Sequence, residues 1–141
     1  MKKHLFILFF AVVPFILLAQ KPMKGPLDAK IYKVDVVKDG KKKPMDPPEE
    51  LKFTAGKFKS TPNFSDWGFV KPAVYHATLD SASSTYTLEV ETINDIEEKM
   101  TWNATITGDD IEGTAVLMNK KGETKYSYTF TGKIKAKYGK K

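Results

Sequence analysis

The segment ETKYSYTFTGKIK, residues 123–135, decides the fold class because its apolar and polar side chains alternate almost without interruption. Successive side chains of a β-strand point to opposite faces, so a period of two predicts a strand with one face on a core. The opposite face carries lysine, serine and threonine, which suit a solvated, pleated surface. The predicted core face holds four residues: Tyr126, Tyr128, Phe130 and Ile134.

The same period of two recurs towards the N-terminus, and turn-forming residues separate the segments that show it. It is clear over residues 100–107 and 86–90, where threonine or glutamate alternates with apolar residues. Further predicted strands cover residues 30–37, 51–54, 57–60, 73–79 and 111–118. Closely spaced strands favour antiparallel neighbours, and about eight of them can close around a narrow interior. We predict an all-β, up-and-down antiparallel barrel, with a β-sandwich as the alternative.

The first twenty residues have the pattern of a cleaved secretory signal. Two lysines precede an apolar run over residues 5–19, and the polar Gln20 follows Ala19. A basic start, an apolar core of about 7 to 15 residues and a small residue before a polar one are typical of such signals. An uncleaved membrane anchor is disfavoured, because the run is shorter than the roughly 20 residues that span a bilayer and is interrupted by Pro14. We expect cleavage between Ala19 and Gln20 and a secreted or periplasmic protein.

This interpretation divides the chain into four parts. Residues 1–19 form the predicted signal peptide and residues 20–29 a flexible N-terminal segment. Residues 30–138 form the predicted barrel, and residues 139–141 a basic C-terminal end. A mature chain of this length is enough for one core and too short for two, so we predict a single domain.

Composition excludes several kinds of partner. The net charge is +6, and all 23 basic residues are lysine. Without the planar fork of arginine, specific nucleic-acid recognition is disfavoured. The chain also has no cysteine, so burial and backbone hydrogen bonds must stabilise the fold without disulfides. The missing cysteine also excludes lipid attachment to that residue type. We therefore expect neither a specific nucleic-acid partner nor a stable membrane anchor.

The residue types that most catalytic sites need are largely missing. Beyond the predicted signal the chain has one histidine, His76, and no cysteine, which leaves too few ligands for a zinc, iron or copper site. A Gly-x-Ser-x-Gly elbow, a glycine-rich phosphate loop and the spacing of an EF-hand are also absent from the sequence. We therefore predict a protein that is not an enzyme and uses no metal or cofactor.

Binding needs only a shaped cavity, and the inward face of the predicted barrel carries residues that could line one. The candidate ligand-binding residues are five large rings: Tyr75, Tyr86, Trp102, Tyr126 and Tyr128. Such rings bury the apolar part of a ligand, while tyrosine hydroxyls bind its polar part. The predicted ligand is a small apolar or amphipathic molecule. The same rings can instead fill the barrel completely, as in many small barrels, and the sequence leaves both alternatives open.

Two long loops interrupt the pattern of short connections. Residues 61–71 have an aromatic content unusual for a surface loop, at Phe64, Trp67 and Phe69. These rings either cap one end of the barrel or offer an apolar contact to a protein partner. The second alternative defines a rival function, a cell-envelope interaction module with a solid core. The other loop, residues 39–50, is rich in lysine, proline and acidic residues and is predicted to be extended and solvated.

The last part of the chain resembles the calycin architecture, that is, the lipocalin-like secreted β-barrels. The resemblance lies in residues 102–132, with Gly108, Gly113 and Gly122 at predicted turns or strand starts and the ending Tyr-Thr-Phe-Thr-Gly over residues 128–132. It implies a closed, secreted barrel. Typical lipocalins open with Gly-x-Trp and carry a late arginine, whereas here Trp67 precedes Gly68 and arginine is absent. No binding residue is therefore carried over from that family.

Overall fold

The computed structural model describes residues 25–137, which form eight strands and one short 3-10 helix, Ser65–Trp67. The predicted signal peptide, residues 20–24 and the basic end lie outside the described residues. Within the described part, no helix is long and apolar enough to cross a membrane. The strands are β1 (Lys30–Lys38), β2 (Glu49–Thr54), β3 (Lys57–Thr61), β4 (Ala73–Asp80), β5 (Thr85–Ile93), β6 (Lys99–Thr107), β7 (Asp110–Met118) and β8 (Thr124–Lys137).

The eight strands form one closed barrel in which each strand pairs with its neighbours in the sequence. Every pairing is antiparallel, and β8 returns to pair with β1 from Lys30 opposite Lys137 to Lys38 opposite Tyr128. The predicted all-β, up-and-down barrel of eight antiparallel strands is therefore confirmed. The β-sandwich alternative is wrong, because closure of β8 on β1 leaves no separate second sheet.

Because neighbouring strands alternate in direction, successive connections lie at opposite ends of the barrel. We call one end the mouth: it carries the loops 39–48, 62–72, 94–98 and 119–123. We call the other end the base: it carries the short turns 55–56, 81–84 and 108–109. All the long loops thus lie at the mouth, which makes it the end where chain length is available to build a site.

The N-terminal residues of the described chain close the base. Leu27 is completely buried, and its backbone N–H donates to the Tyr75 hydroxyl at 2.9 Å. The same hydroxyl donates to the Asp28 carboxylate at 2.8 Å, which also accepts the backbone N–H of Gly56 at 3.0 Å. Residues 25–29, part of the segment that the sequence predicted to be flexible, therefore pack on the barrel through buried and part-buried contacts.

Two glycines inside strands allow the sheet to curl tightly enough to close. A Cβ on Gly132 of β8 would lie 2.0 Å from the carbonyl oxygen of Lys33 on β1. A Cβ on Gly113 of β7 would lie 2.1 Å from the carbonyl oxygen of Asn103 on β6. Gly113 thus lies within a strand, and its role is close approach of two backbones rather than a turn.

We predict that Gly132→Ala lowers the free energy of unfolding by about 3 kcal/mol, because a methyl group there must push two backbones apart. Urea denaturation followed by circular dichroism measures the change. Thr131→Ala, on the exposed face of the same strand, is the matched control and should change stability by less than about 1 kcal/mol. Equal effects of the two substitutions would contradict the proposed role of Gly132.

The turn between β2 and β3 allows a stabilising substitution. Ala55 and Gly56 have φ values of 52° and 77°, and only asparagine, aspartate and glycine adopt this left-handed region readily. Ala55→Asn should therefore raise the free energy of unfolding by roughly 0.5 to 1 kcal/mol. Ala55→Val should lower it, because a β-branched side chain is strained at positive φ. A thermal melt of the two variants beside the parent protein tests both signs.

Candidate functional site

The site at the mouth depends on a buried carboxylate. Glu49, the first residue of β2, points into the barrel and is 0% exposed. Its carboxylate accepts hydrogen bonds from the Ser60 hydroxyl, the Asn63 backbone N–H at 2.8 Å, the Asn63 amide at 3.0 Å and the Phe64 backbone N–H at 3.2 Å. Four donors from β3 and the following loop thus compensate for the lost hydration of the charge. The sequence analysis placed Glu49 in a solvated loop; the structure places it in the core.

These bonds seat the loop 62–72, which we call the capping loop, across the mouth. Phe64 is fully buried, and its ring contacts Trp102 at a centroid distance of 5.4 Å and Tyr128 at 5.3 Å, both in edge-to-face geometry. Phe69 is also buried in the core cluster. Trp67 behaves differently: its ring touches Phe64 at 5.2 Å, yet the residue stays 44% exposed. The capping loop therefore sends two phenylalanines inward and holds one tryptophan at the surface.

Aromatic side chains occupy the interior below the capping loop. Trp102 contacts Phe58 at 5.0 Å and Phe130 at 5.6 Å, and Phe53 contacts Phe58 at 5.5 Å and Tyr75 at 4.9 Å. These separations are those of rings in direct contact. Of the two alternatives for the interior, the packing favours rings that fill the middle of the barrel.

The five predicted ligand-binding rings are distributed along the whole barrel. Tyr75 lies at the base, where both hydrogen bonds of its hydroxyl are made within the protein. Tyr86 is half-buried on β5 beside Leu79 and Ile106, and Trp102 lies in the packed interior. Tyr126 and Tyr128 lie at the mouth. The structure therefore brings two of the five together and separates them from the other three.

A pocket of about 340 Å³ opens at the mouth, and we call it the mouth site. Three of the residues that the sequence analysis singled out line it, with four from β1 and the β1–β2 loop: Trp67, Tyr126, Tyr128, Met45, Lys38, Lys41 and Lys43. Its volume is near the lower limit of small-molecule pockets, about 300 Å³. The mouth site therefore combines aromatic walls with three cationic groups in a space for one small molecule.

Tyr128, which lines the mouth site, carries the most unusual group there, a hydroxyl that is itself shielded from solvent. Tyr128 is 2% exposed, and its hydroxyl has no hydrogen-bond partner among the described residues. Burial raises the pKa of this hydroxyl to about 12, so it remains a neutral O–H donor at physiological pH. A buried hydroxyl without a partner costs about 1 to 3 kcal/mol relative to a satisfied one.

The outer wall of the mouth site remains open to solvent. Tyr126 is 42% exposed, because strand β1 ends at Lys38, opposite Tyr128, and beyond the Asp39–Ser127 backbone hydrogen bond only the β1–β2 loop flanks β8 on that side. The Lys38 ammonium lies 3.7 Å from the centre of the Tyr126 ring, within the range of a cation–π contact. The mouth site therefore presents ring faces and ammonium groups together.

Polar contacts from the β5–β6 turn hold the capping loop from the other side. The Asn94 amide donates to the Trp67 carbonyl at 3.2 Å and to Glu98 at 3.1 Å. The Lys125 ammonium donates to the Glu98 carboxylate at 2.5 Å and lowers the pKa of that carboxyl group, together with the Asn94 bond. The Trp67 side chain is therefore exposed although its backbone is held in place by a hydrogen bond from Asn94.

Local sequence patterns do not predict Met45 and the three lysines as residues of the mouth site. Residues 39–50 were predicted to be extended and solvated, but the Met45 backbone N–H donates to the Val36 carbonyl at 2.7 Å and its side chain packs against the core. Met45 is the one apolar side chain among the lysines and prolines of this loop, and this was the feature of the sequence that could have indicated its contact with the core. Nothing in the local pattern indicated that the loop folds back towards β8.

A wider groove of about 970 Å³ runs over the outer face of β6, β7, β8 and β1. It is lined mainly by outward-facing threonine and charged side chains. Two of its lysines are already paired, Lys133 with Asp110 and Lys135 with Glu50, each at 2.5 Å. Despite its volume, this groove lacks exposed rings and buried unpaired groups among the described residues, so the mouth site is the better candidate.

Comparison with protein-family models, curated proteins and solved structures finds no match to this chain. Within residues 25–137, no three histidine, aspartate or glutamate side chains come together as they would to hold a metal ion. His76 lies exposed on β4. The geometry of the mouth site is therefore the main indication of function.

Glu49→Gln should lower the free energy of unfolding by about 2 to 3 kcal/mol, because an amide cannot accept all the hydrogen bonds that the buried carboxylate accepts. Chemical denaturation measures the loss, and the tryptophan emission of the folded variant reports any release of the capping loop. Glu50→Gln is the matched control: Glu50 pairs with Lys135 near the surface, so its loss should cost less than about 1 kcal/mol. A Glu49→Gln protein as stable as the Glu50→Gln protein would contradict the anchoring role.

Proposed function

We propose that this protein is a non-enzymatic, lipocalin-like binding protein that takes a small apolar or amphipathic molecule at the mouth site. The observation that carries the proposal is the buried, unpartnered hydroxyl of Tyr128, whose ring centre lies 6.3 Å from that of the exposed Trp67. A ligand with one polar atom and an apolar body would satisfy the first and cover the second. Tyr126 and Met45 would add apolar contacts to the same molecule.

The site differs from an internal cavity in where the ligand would lie. Phe64 and the rings below it pack the interior, so the proposed ligand lies on top of the aromatic core rather than within it. A pocket of about 340 Å³ suits a single ring system or a short chain. The affinity would come from covering the Trp67 and Tyr126 rings and from one hydrogen bond to Tyr128.

The proposed carrier acts outside the cytoplasm. The charged start and apolar run of residues 1–19 are the support for this part of the proposal.

A second candidate is favoured by the apolar residues that remain exposed at the mouth end. Four of the exposed large apolar residues lie in or beside the mouth loops: Trp67, Val70, Ile93 and Ile96. Two others, Val74 and Leu79, lie on β4. Exposed apolar side chains at one end of a domain are typical of a contact with another protein. The rival function is therefore an envelope interaction module that presents the capping loop to a protein partner.

Tyr128→Phe separates the ligand hypothesis from a purely structural role. The substitution keeps the ring and removes a hydroxyl that has no partner, so we expect the ligand-free protein to become more stable by up to about 1 kcal/mol. The same change should weaken ligand binding about fivefold or more, because the ligand loses its hydrogen bond. Denaturation of the free protein and native mass spectrometry after incubation with a lipid extract measure the two effects.

Tyr32→Phe is the matched control, because Tyr32 also has a buried hydroxyl without a described partner but does not line the mouth site. It should stabilise the protein in the same way and leave binding unchanged. Loss of binding in both variants, or in neither, would count against the mouth site. A bare protein mass after every lipid extract would favour the interaction module instead.

Ile96→Asp tests the rival function without touching the mouth site. Ile96 is 62% exposed and does not line the pocket, so the charge should leave folding and small-molecule uptake unchanged. If the protein is an interaction module, capture of a defined envelope partner should fall at least tenfold, as expected when a charge enters an apolar contact (~1.4 kcal/mol or more). Surface plasmon resonance with that partner measures the effect, and unchanged capture would contradict the rival.

A further inference from the structure

We infer that the mouth site selects anionic amphipathic molecules, with a carboxylate or phosphate head group held by Lys38, Lys41 and Lys43. The inference rests on the proposed function and names the chemical class of its ligand. Three features of the described residues carry it: lysines without counter-ions that line one pocket, the lack of acidic groups in that lining, and a neutral hydroxyl donor on Tyr128, one of the lining residues.

The lysines of the mouth site have no carboxylate partner among the described residues, as is also true of Lys57 and Lys120 elsewhere on the barrel; what distinguishes them is that all three line one pocket. Five lysines of the barrel wall lie within 4.0 Å of a carboxylate, namely Lys52, Lys99, Lys125, Lys133 and Lys135. None of Lys38, Lys41 and Lys43 forms an ion pair with any described residue. Three positive charges therefore surround one pocket without compensation from the protein, and an anionic ligand would supply that compensation.

The lining of the mouth site contains no acidic residue among those described. Asp39 and Asp46 belong to the same loop, but neither lines the pocket. The remaining lining groups are rings and a thioether, which do not oppose a negative charge. The charged groups that line the pocket are therefore all positive, which favours an anionic amphipath over a cationic one.

The pocket is small enough for one molecule to reach all these groups. The three lysines, Trp67 and Tyr128 all line a pocket of about 340 Å³, so a single ligand there can contact each of these residues. The ammoniums bind the charged oxygens, and the Tyr128 hydroxyl donates to another oxygen of the same molecule. Met45 and the two exposed rings cover the apolar part. Charge-assisted hydrogen bonds of this kind are about twice as strong as neutral ones.

The experiment compares eight-carbon probes that differ only in the head group: octanoate, octyl phosphate, octanol and octyltrimethylammonium. Isothermal titration calorimetry of the mature protein gives the affinities, and quenching of tryptophan emission gives an independent signal. We expect the two anions to bind at least tenfold more tightly than octanol, and the cation to bind most weakly. The preference should shrink as salt rises from about 50 to 500 mM, since exposed charges are screened. The ratio of octanoate to octyl phosphate tells which head group is preferred.

The test variant is the double substitution Lys41→Gln and Lys43→Gln, which removes two charges while keeping long polar side chains. It should weaken octanoate binding about tenfold and leave octanol binding within twofold. The matched control is Lys120→Gln with Lys121→Gln, which removes two charges from another mouth loop that does not line the pocket. The control should bind octanoate as the parent protein does.

The outcomes separate this inference from the function on which it rests. Equal binding of octanol and octanoate, with no effect of the Lys41/Lys43 double variant, would overturn the anionic selectivity and leave a binding protein. An equal loss of octanoate affinity in the control would assign the effect to overall charge and also overturn it. If none of the four probes binds at millimolar concentration, the binding function falls together with its selectivity.

Discussion

The hydrogen bonds of the buried Glu49 carboxylate are the constraint on which the mouth of this barrel depends. They fix the backbone at Asn63 and Phe64, and Phe64 is thereby pressed between Trp102 and Tyr128. Burying a carboxylate is unfavourable unless its oxygens accept hydrogen bonds. The charge of Glu49 therefore stabilises the fold only while all its donors are in place. Together, the Glu49 carboxylate and its four donors hold the capping loop between β3 and β4 in a fixed conformation. The exposed position of Trp67 follows from that geometry.

Closure of the barrel has a different physical origin, the close approach of backbones at Gly113 and Gly132. Side chains at either position would collide with the neighbouring strand, so the tight curl of β7 and β8 is tied to these residues. The base is sealed by Leu27 and by the hydrogen bonds of Asp28 and Tyr75. With the base sealed and the interior packed by rings, the mouth is where an aromatic pocket with unpaired groups is found among the described residues. Tyr32, towards the base, also has a buried hydroxyl without a described partner, so it is the pocket with its exposed rings, and not the unpaired hydroxyl alone, that supports the assignment of function to the mouth.

The strands were predictable because alternation is a local property. Each strand has one buried face, so its period of two is present in the sequence, and the observed bounds differ from the predicted ones by no more than a few residues. The site was predictable only in part. Tyr126 and Tyr128 belong to one face of one strand, yet one is open to solvent and the other buried, because β1 ends opposite Tyr128. Where a neighbouring strand ends cannot be read from the strand itself. The same limit explains Tyr75, whose hydroxyl is satisfied by a segment 47 positions away.

The sequence by itself determined the all-β class, the number of strands and the identity of the aromatic loop, since alternation, turn residues and composition act over a few neighbouring positions. It also supplied the features behind the secretion proposal. Only the tertiary structure decided that Glu49 is a core residue, that Phe64 points inward while Trp67 points outward, and that Met45 and three lysines meet Tyr128. Those facts depend on which distant segments share one end of a closed barrel. Barrel closure sets that arrangement through pairing register and packing over the whole chain, and no local pattern encodes it.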